Sequence, residues 1–388
     1  MILLLMLCVA GVGGLSSPGE RTRRCVVLST SFLAQAMIAP CGAASLVDTS
    51  YSFREERSRV FLESILPPIL NRATALYDLG RGAYGLEQLL AFTNVSATVR
   101  ANVVRLKDGS LFVFAPVAPT EECLALLKDI GGPVSHIALP VTALEHKAFF
   151  GPFVRNFPNA KVWVAPGQYG PFGSMDSLPY RVDGVLDGTV LEGFPYDEVE
   201  YKLFYANLKG NAGPVSEVAF FHRPTTTLIV TDAVVWIPEK PSPLFETLFD
   251  KDTMQSPDFW PKTVLQSVFV SLRQSPETNS FPAYDLLKSK LIRAPILRAF
   301  NDVRAPNQTR KWVDAIATDF DFDRILTSHF ASPIMATPQD FRRAFARLDG
   351  PDAPGVIKLD DQDWESLDSL NDLIETQNLG APIVATYK

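Results

Sequence analysis

Thiols are scarce and poorly placed for structural use. Of four cysteines in 388 residues, Cys8, Cys25 and Cys41 fall near the start and only Cys123 lies further on. One remote thiol cannot build a disulfide framework. Cys123 sits in a helix-like run over 120–130 beside Leu124 and Leu127, and it reads as a buried structural thiol rather than a nucleophile. A basic stripe is missing as well. The net charge is -7, with Lys and Arg scattered singly, which argues against nucleic acid as a partner. The familiar catalytic strings are also absent: there is no Gly-x-Ser-x-Gly elbow, His-Glu-x-x-His helix, phosphate loop or Cys-x-x-Cys pair. Serine-hydrolase, zincin, kinase-like and redox-motif readings therefore fall away. Gly80-Arg81-Gly82-Ala83-Tyr84-Gly85 matches a dinucleotide-binding string, but no strong strand precedes it and no acid follows at the required distance. It reads as a glycine turn, and no nucleotide cofactor is expected.

What remains is ordinary globular material, 47% hydrophobic and 20% charged, in a chain long enough to bury a large core. The first 44 residues differ from the rest. An apolar run over 1–15 is followed by Arg21, Arg23 and Arg24, a second apolar run over 25–39, and the small residues Gly42, Ala43 and Ala44. Two targeting signals in series resemble the bipartite leaders of proteins sent to plastids, with the stroma or thylakoid lumen as destination. A single secretory signal with a longer tail is the alternative. Cleavage after Ala43 or Ala44 would leave a mature chain with no expected membrane span.

The remainder reads as one domain over 45–350 with a Pro-rich helical insertion at about 237–310, followed by an acidic tail over 351–388. Residues 51–79 show helical spacing, broken at Pro67-Pro68. Two extended runs, 98–106 and 111–115, flank Asp108-Gly109 as a hairpin. Thr120 caps a helix with Glu121 and Glu122 in its first turn. Strands follow over 134–139 and 161–165, near 201–205, over 217–222 and over 227–231, with a helical stretch over 286–300 inside the insertion. A short strand leads to His329, and Thr337-Pro338 starts another helix. In the tail, Trp364, Leu367, Leu370 and Ile374 take helical spacing. Strands alternating with short helices argue for a layered α/β fold.

Three chemistry-bearing pieces stand after strand-like runs. Glu145-His146 follows the strand stopped by Pro140, Asp232 ends the run over 227–231, and His329 ends the run over 324–328. An acid at the end of a buried strand is costly unless it binds something or is hydrogen-bonded. His136, inside a strand, reads as a core histidine, and His222 as a surface group or a support for a ligand. Trp163 and Trp236 read as aromatic core.

The order acid-His, Asp, His resembles the metallo-β-lactamase superfamily. More closely, the text at 111–122, Glu145-His146-Lys147, Gly151-Pro152-Phe153, 164–168, 217–232 and 329–341 resembles an uncharacterised domain family of plant, algal and cyanobacterial proteins within it. The resemblance covers about 77–348 and implies a four-layered αββα sandwich with metal ligands on loops at one sheet edge. It also implies that the superfamily's leading His-x-His falls on Val141 and Ala143, and that a later histidine is absent from 211–216, so one metal site is lost. The second site's ligands fall on Glu145, in place of aspartate, His146, Asp232 and His329. These suit one zinc or iron ion, and a hydrolysed small-molecule ester, thioester or amide follows as the expected chemistry. A hydrogen-bonded cluster without metal, in a non-catalytic scaffold or binding protein, is the other reading of the same residues.

Residues 1–43 fused ahead of a fluorescent protein should carry it into a plastid. Cytosolic fluorescence would overturn that expectation, and secretion would favour the single-signal alternative.

Overall fold

The computed structural model describes residues 45–46, 72–92, 95–168, 178–208, 214–377, 382–385 and 387–388. The leader over 1–44 lies outside them, as does the helical reading over 51–71. Where that reading continued to Leu79 it is overturned, because Thr74–Gly80 is a strand. Its partner is Ala83–Phe92, and the turn between them is Gly80-Arg81-Gly82 with φ of 77°, 55° and 72°. Three successive left-handed residues explain the glycines flanking the turn. Strand pairing across it overrides a local helical pattern.

Eight strands form the first sheet in sequence order: β1 (Ser45–Leu46), β2 (Thr74–Gly80), β3 (Ala83–Phe92), β4 (Val95–Arg105), β5 (Leu111–Phe114), β6 (Val134–Leu139), β7 (Lys161–Val164) and β8 (Gly184–Val185). Pairing is antiparallel up to β5 and parallel from β5 to β8. The parallel steps need crossovers. Helix α1 (Glu121–Ile130) supplies one, and α2 (Leu144–Lys147) with α3 (Phe150–Arg155) supplies the next. Thr120 caps α1 as expected, its hydroxyl accepting from Cys123 N at 3.1 Å.

The second sheet begins with β9 (Val199–Asn207), β10 (Pro214–His222) and β11 (Thr227–Ile229). The chain then leaves the sheet for a long crossover, which takes in the segment read from the sequence as an insertion and contains β12 (Val235–Trp236), α4 (Lys251–Gln255), α5 (Phe259–Ser267), α6 (Pro282–Leu287), β13 (Leu291–Ile292) and α7 (Pro295–Leu297). It returns through α8 (Pro306–Asp319) to β14 (Arg324–Leu326) and β15 (Ile334–Met335), giving the sheet order β15-β14-β11-β10-β9. The helix expected over 286–300 is replaced by α6, β13 and α7, since Leu291–Ile292 pair with Val235–Trp236. Helix α9 (Pro338–Ala344) opens with the Thr337–Asp340 capping box.

Three cores separate four layers. Phe112, Phe114 and Trp163 of the first sheet meet Val218, Phe220 and Leu326 of the second, with Phe112 and Phe114 rings stacked at 4.2 Å. Outside the first sheet, Val113, Ile137 and Val162 pack on Cys123, Leu127 and Phe153 of the helices. Outside the second, Ala219, Leu228 and Ile325 pack on Val313 and Ile316 of α8 and Phe341 of α9. Each fully buried large side chain contributes roughly 1.5–3 kcal/mol. The layers are therefore helix, sheet, sheet, helix. In the tail, α10 (Glu365–Thr376) lays Leu367, Leu370 and Ile374, with Trp364 before it, against Ala299, Phe300 and Val303. No helix of the described residues is long and apolar enough to cross a membrane.

Two histidines serve the fold. His136 is half-buried rather than in the core, and it accepts a hydrogen bond from Trp163 Nε1 at 3.2 Å. His222 is not at the surface: it is 1% exposed at the end of β10, with Glu198 Oε2 3.9 Å from its Nε2, and its Nδ1 meets Thr225 Oγ1 at 2.7 Å. Burial, followed by the charges of Arg324 and Lys107, lowers the His222 pKa to about 4.

The unfolded chain, with a histidine near its ordinary value, binds more protons than the fold between those limits. Stability contributed by neutral His222 is thus complete above pH 6.5 or so and is lost as pH falls towards 4, by an amount on the order of 3 kcal/mol. Denaturant titrations of His222→Gln should show a shallower loss across that window than the parent chain; identical slopes would contradict the buried neutral imidazole.

Candidate metal centre

Strands β11 and β14 are parallel neighbours, with Leu228 opposite Ile325 and Ile229 opposite Leu326. Their ladder continues past the strand ends through Val230 N to Leu326 O at 2.9 Å and Ser328 N to Thr231 O at 3.2 Å. Asp232 and His329 each lie three residues beyond the Ile229–Leu326 pair, so register alone brings them side by side. The third piece arrives from the other sheet. Past β6, Val141 bridges Glu217 of β10, while Val218 N donates to Pro140 O at 2.7 Å and Thr142 N to Ser216 O at 3.2 Å. The two sheets are stitched together at this edge, and the next turn, α2, presents Glu145 and His146 to the same spot. The pair thus stands on a short helix rather than on the open loop its sequence suggested.

All four expected residues converge. One ligand atom from each of Glu145, His146, Asp232 and His329 lies within 4.8 Å of the others. Asp232 Oδ1 is 3.0 Å from His329 Nε2 and 3.4 Å from His146 Nε2. Those separations match the roughly 3.3 Å edge of a tetrahedron with metal bonds of about 2.0–2.1 Å. His329 Nδ1 donates to Thr98 O at 2.8 Å, which fixes the tautomer and turns Nε2 inward, the arrangement of a metal-ready imidazole. Two imidazoles and two carboxylates suit zinc or iron by donor chemistry.

The electrostatics are those of a tight acid-base cluster. Burial opposes ionisation of Asp232, but His146 and then His329 outweigh it and hold its carboxyl well below the usual range. Burial likewise disfavours charged His329, yet Asp232, with Glu145 behind it, raises its pKa above the ordinary value.

Supporting residues escaped the sequence reading. Glu217 Oε1 accepts from Thr231 N at 3.1 Å, Thr231 Oγ1 at 3.0 Å, Asp232 N at 2.9 Å and Ala233 N at 2.8 Å. Burial, then the Asp232 charge, pushes its carboxyl up, while Arg293 pulls the other way. The signal for Glu217 was an acid inside an otherwise apolar strand. Arg100 plays the same part for His329. Its buried guanidinium pairs with Glu87 and donates to Thr327 O at 3.1 Å and Phe330 O at 2.7 Å, and its own N–H reaches Ser328 O at 2.8 Å. Gly85 makes room for it, since a Cβ there would stand 2.7 Å from Arg100 Cδ.

At the positions to which the resemblance assigned a further metal site, Val141 is buried and its carbonyl accepts from Gln168 Nε2 at 2.9 Å, and Ala143 brings no donor atom. Residues 211–213 lie outside the described set, and Ser216 turns its hydroxyl to Pro166 O at 2.7 Å. Among the described residues, one donor set remains.

A helix-sheet-sheet-helix sandwich with a histidine-carboxylate cluster at one edge of its sheets is the metallo-β-lactamase fold. Within it, the chain belongs to a family described as a domain of unknown function (DUF4336), whose model matches residues 82–263 and 268–347. Similar solved structures include a metallo-β-lactamase from Pontibacter korlensis, at 9% identity over 70% of this chain and 98% of that one, with a TM-score of 0.37. A fragment of a putative diflavin flavoprotein from Nostoc sp. PCC 7120 matches at 9% identity over 71% and 95%, with a TM-score of 0.42. The flavodiiron core of Flv1 from Synechocystis sp. PCC6803 matches at 7% identity over 71% and 61%, also at 0.42. No curated protein matches the sequence.

Glu217→Leu would leave the buried N–H groups of Thr231, Asp232 and Ala233 without their acceptor. Each such group costs about 1–3 kcal/mol, so chemical denaturation should show a loss of roughly 3–5 kcal/mol. Glu217→Gln keeps an acceptor oxygen and should lose about 1 kcal/mol or less. Equal losses in the two variants would contradict the clamp.

Proposed function

We propose that Glu145, His146, Asp232 and His329 hold one zinc or iron ion and that the chain hydrolyses an ester, thioester or amide of a small metabolite. The convergence of four ligand atoms within 4.8 Å carries this reading. An ion in that position supplies Lewis acidity and acidifies a water molecule, which is hydrolytic chemistry. The protein's own contribution is orientation. Thr98 O holds His329 by its other nitrogen, Glu217 fixes the backbone on both sides of Asp232, and α2 delivers Glu145 and His146 from the opposite sheet. With no donor side chain at Val141 or Ala143, the described residues offer no two-ion clamp of the kind that serves phosphoryl transfer, and a polarised carbonyl is the better match to a single ion.

One observation favours a second reading. Asp232 Oδ1 already meets both imidazoles, so the cluster can close on itself as a hydrogen-bonded network in a scaffold or binding protein. The two readings part on metal content. By inductively coupled plasma mass spectrometry, the purified chain should carry about one zinc or iron per molecule, and His146→Ala should lose it together with hydrolysis of nitrophenyl ester and thioester probes. A folded parent chain without metal would overturn the hydrolase and leave the closed polar cluster.

A further inference from the structure

Away from this centre, a cavity of about 280 Å³ lies between the insertion and the segments that follow α9. None of Glu145, His146, Asp232 or His329 lines it. Its size equals that of about nine water molecules in the liquid, room for a small organic molecule with a similar number of heavy atoms. Much of the wall is apolar, with Ile292, Val303, Leu348, Val356, Ile357 and Leu359 among its residues.

The charged wall is one-sided. Arg293, Arg298 and Arg347 line the cavity with Asp302 as the one acid among them. Both Asp302 oxygens are taken by Arg293, at 3.2 Å from Nε and 2.9 Å from Nη2. Arg347 Nε donates to Lys388 O at 2.8 Å. Arg298 is the exception. Its Nη1 reaches Ile357 O at 3.3 Å, but its Nε is a buried donor without a hydrogen-bond partner. Trp364, over whose ring the Arg298 guanidinium lies at 5.0 Å, carries a second such donor in its Nε1. Buried donors are rarely left orphaned, because each costs the full desolvation of the group. Burial, and then repulsion from Arg347, lowers the Arg298 pKa to about 10, a second sign that negative charge is wanted there.

We propose that this cavity binds an amphipathic monocarboxylate, small adjustments of Arg298 and Trp364 bringing their orphan Nε and Nε1 donors, which have no surface open to the cavity as it stands, to its two oxygens, with its apolar body lying along Val303, Leu348 and Ile357. Two orphan donors suit two carboxylate oxygens. A phosphate would ask for more donors than the wall leaves open, and it would leave the apolar side unused.

Titration calorimetry of the full purified chain with sodium octanoate tests this. Binding should saturate at one molecule per chain, while acetate, which lacks the body, and octan-1-ol, which lacks the charge, should bind at least about tenfold more weakly. Arg298→Met should weaken octanoate by about tenfold or more and Trp364→Phe by roughly three- to tenfold, since one loses a charge-assisted bond and the other a neutral one. Trp364→Phe keeps an aromatic ring in the packing and decides the matter if Arg298→Met fails to fold. His146→Ala should bind octanoate as the parent does, which keeps this site separate from the metal centre. No saturable heat with the parent chain, or unchanged affinity in a folded Trp364→Phe, would overturn the proposal.

Discussion

The buried carboxylate of Glu217 is the constraint on which the candidate centre depends. Parallel register can set Asp232 beside His329, but it cannot fix the turn on which Asp232 stands, because the ladder runs out before residue 233. Three backbone N–H groups and one hydroxyl would be left without acceptors there, and Glu217 Oε1 takes the hydrogen bonds of Thr231, Asp232 and Ala233. The same residue pairs with Val141 across the gap between sheets. One side chain and its backbone therefore position the exit of β6, which leads to Glu145 and His146, and the turn that carries Asp232.

That arrangement concentrates negative charge. Glu145 and Asp232 stand with two imidazoles, the buried Glu217 grips the backbone behind Asp232, and the buried guanidinium of Arg293 gives its N–H groups to Asp302 and Ala233 O. Close carboxylates out of water require a compensating cation. Protonated His329 can serve, and so can a divalent ion. Which of them fills the role is a question of geometry as much as charge, and the inward Nε2 atoms of both histidines suit either.

The parts of this molecule that were legible in its sequence are those whose cause is local. Asp108-Gly109 between alternating runs gives a hairpin, Thr120 and Thr337 give caps, and strand ends mark Asp232 and His329. Strands β2 and β3 were not legible, since their order comes from pairing across a turn of three left-handed residues. His222 was misplaced for a related reason: an Arg-Pro pair beside it suggests exposure, while the fold brings Glu198 and Arg324 over it. The four candidate ligands were found through the spacing of a resembled motif. Their supports were not, because Glu87, Thr98, Arg100 and Glu217 act between separate strands and no short string unites them.

The long segment between the two ligand-bearing strands can be understood from topology. Joining the parallel strands β11 and β14 requires a crossover, and here it is the whole segment between Ile229 and Arg324. Its first residues supply Asp232 and the strand after it leads to His329, so the crossover is anchored at both ends to the centre. Its middle supplies Arg293, which lines the cavity and donates to Ala233 O at 2.9 Å, one residue beyond Asp232. Arg293 is in turn held by Asp302 and stacks over Phe345 at 4.9 Å. A displacement of this guanidinium would free a buried carbonyl on the turn that Glu217 grips from the other side. The wall of the cavity and the floor of the centre are thus parts of one hydrogen-bonded chain, running from Asp302 through Arg293 and the 231–233 turn to Glu217. The crossover is bound into the site by polar contacts as well as by apolar packing against Ala75 and Leu89 of the first sheet.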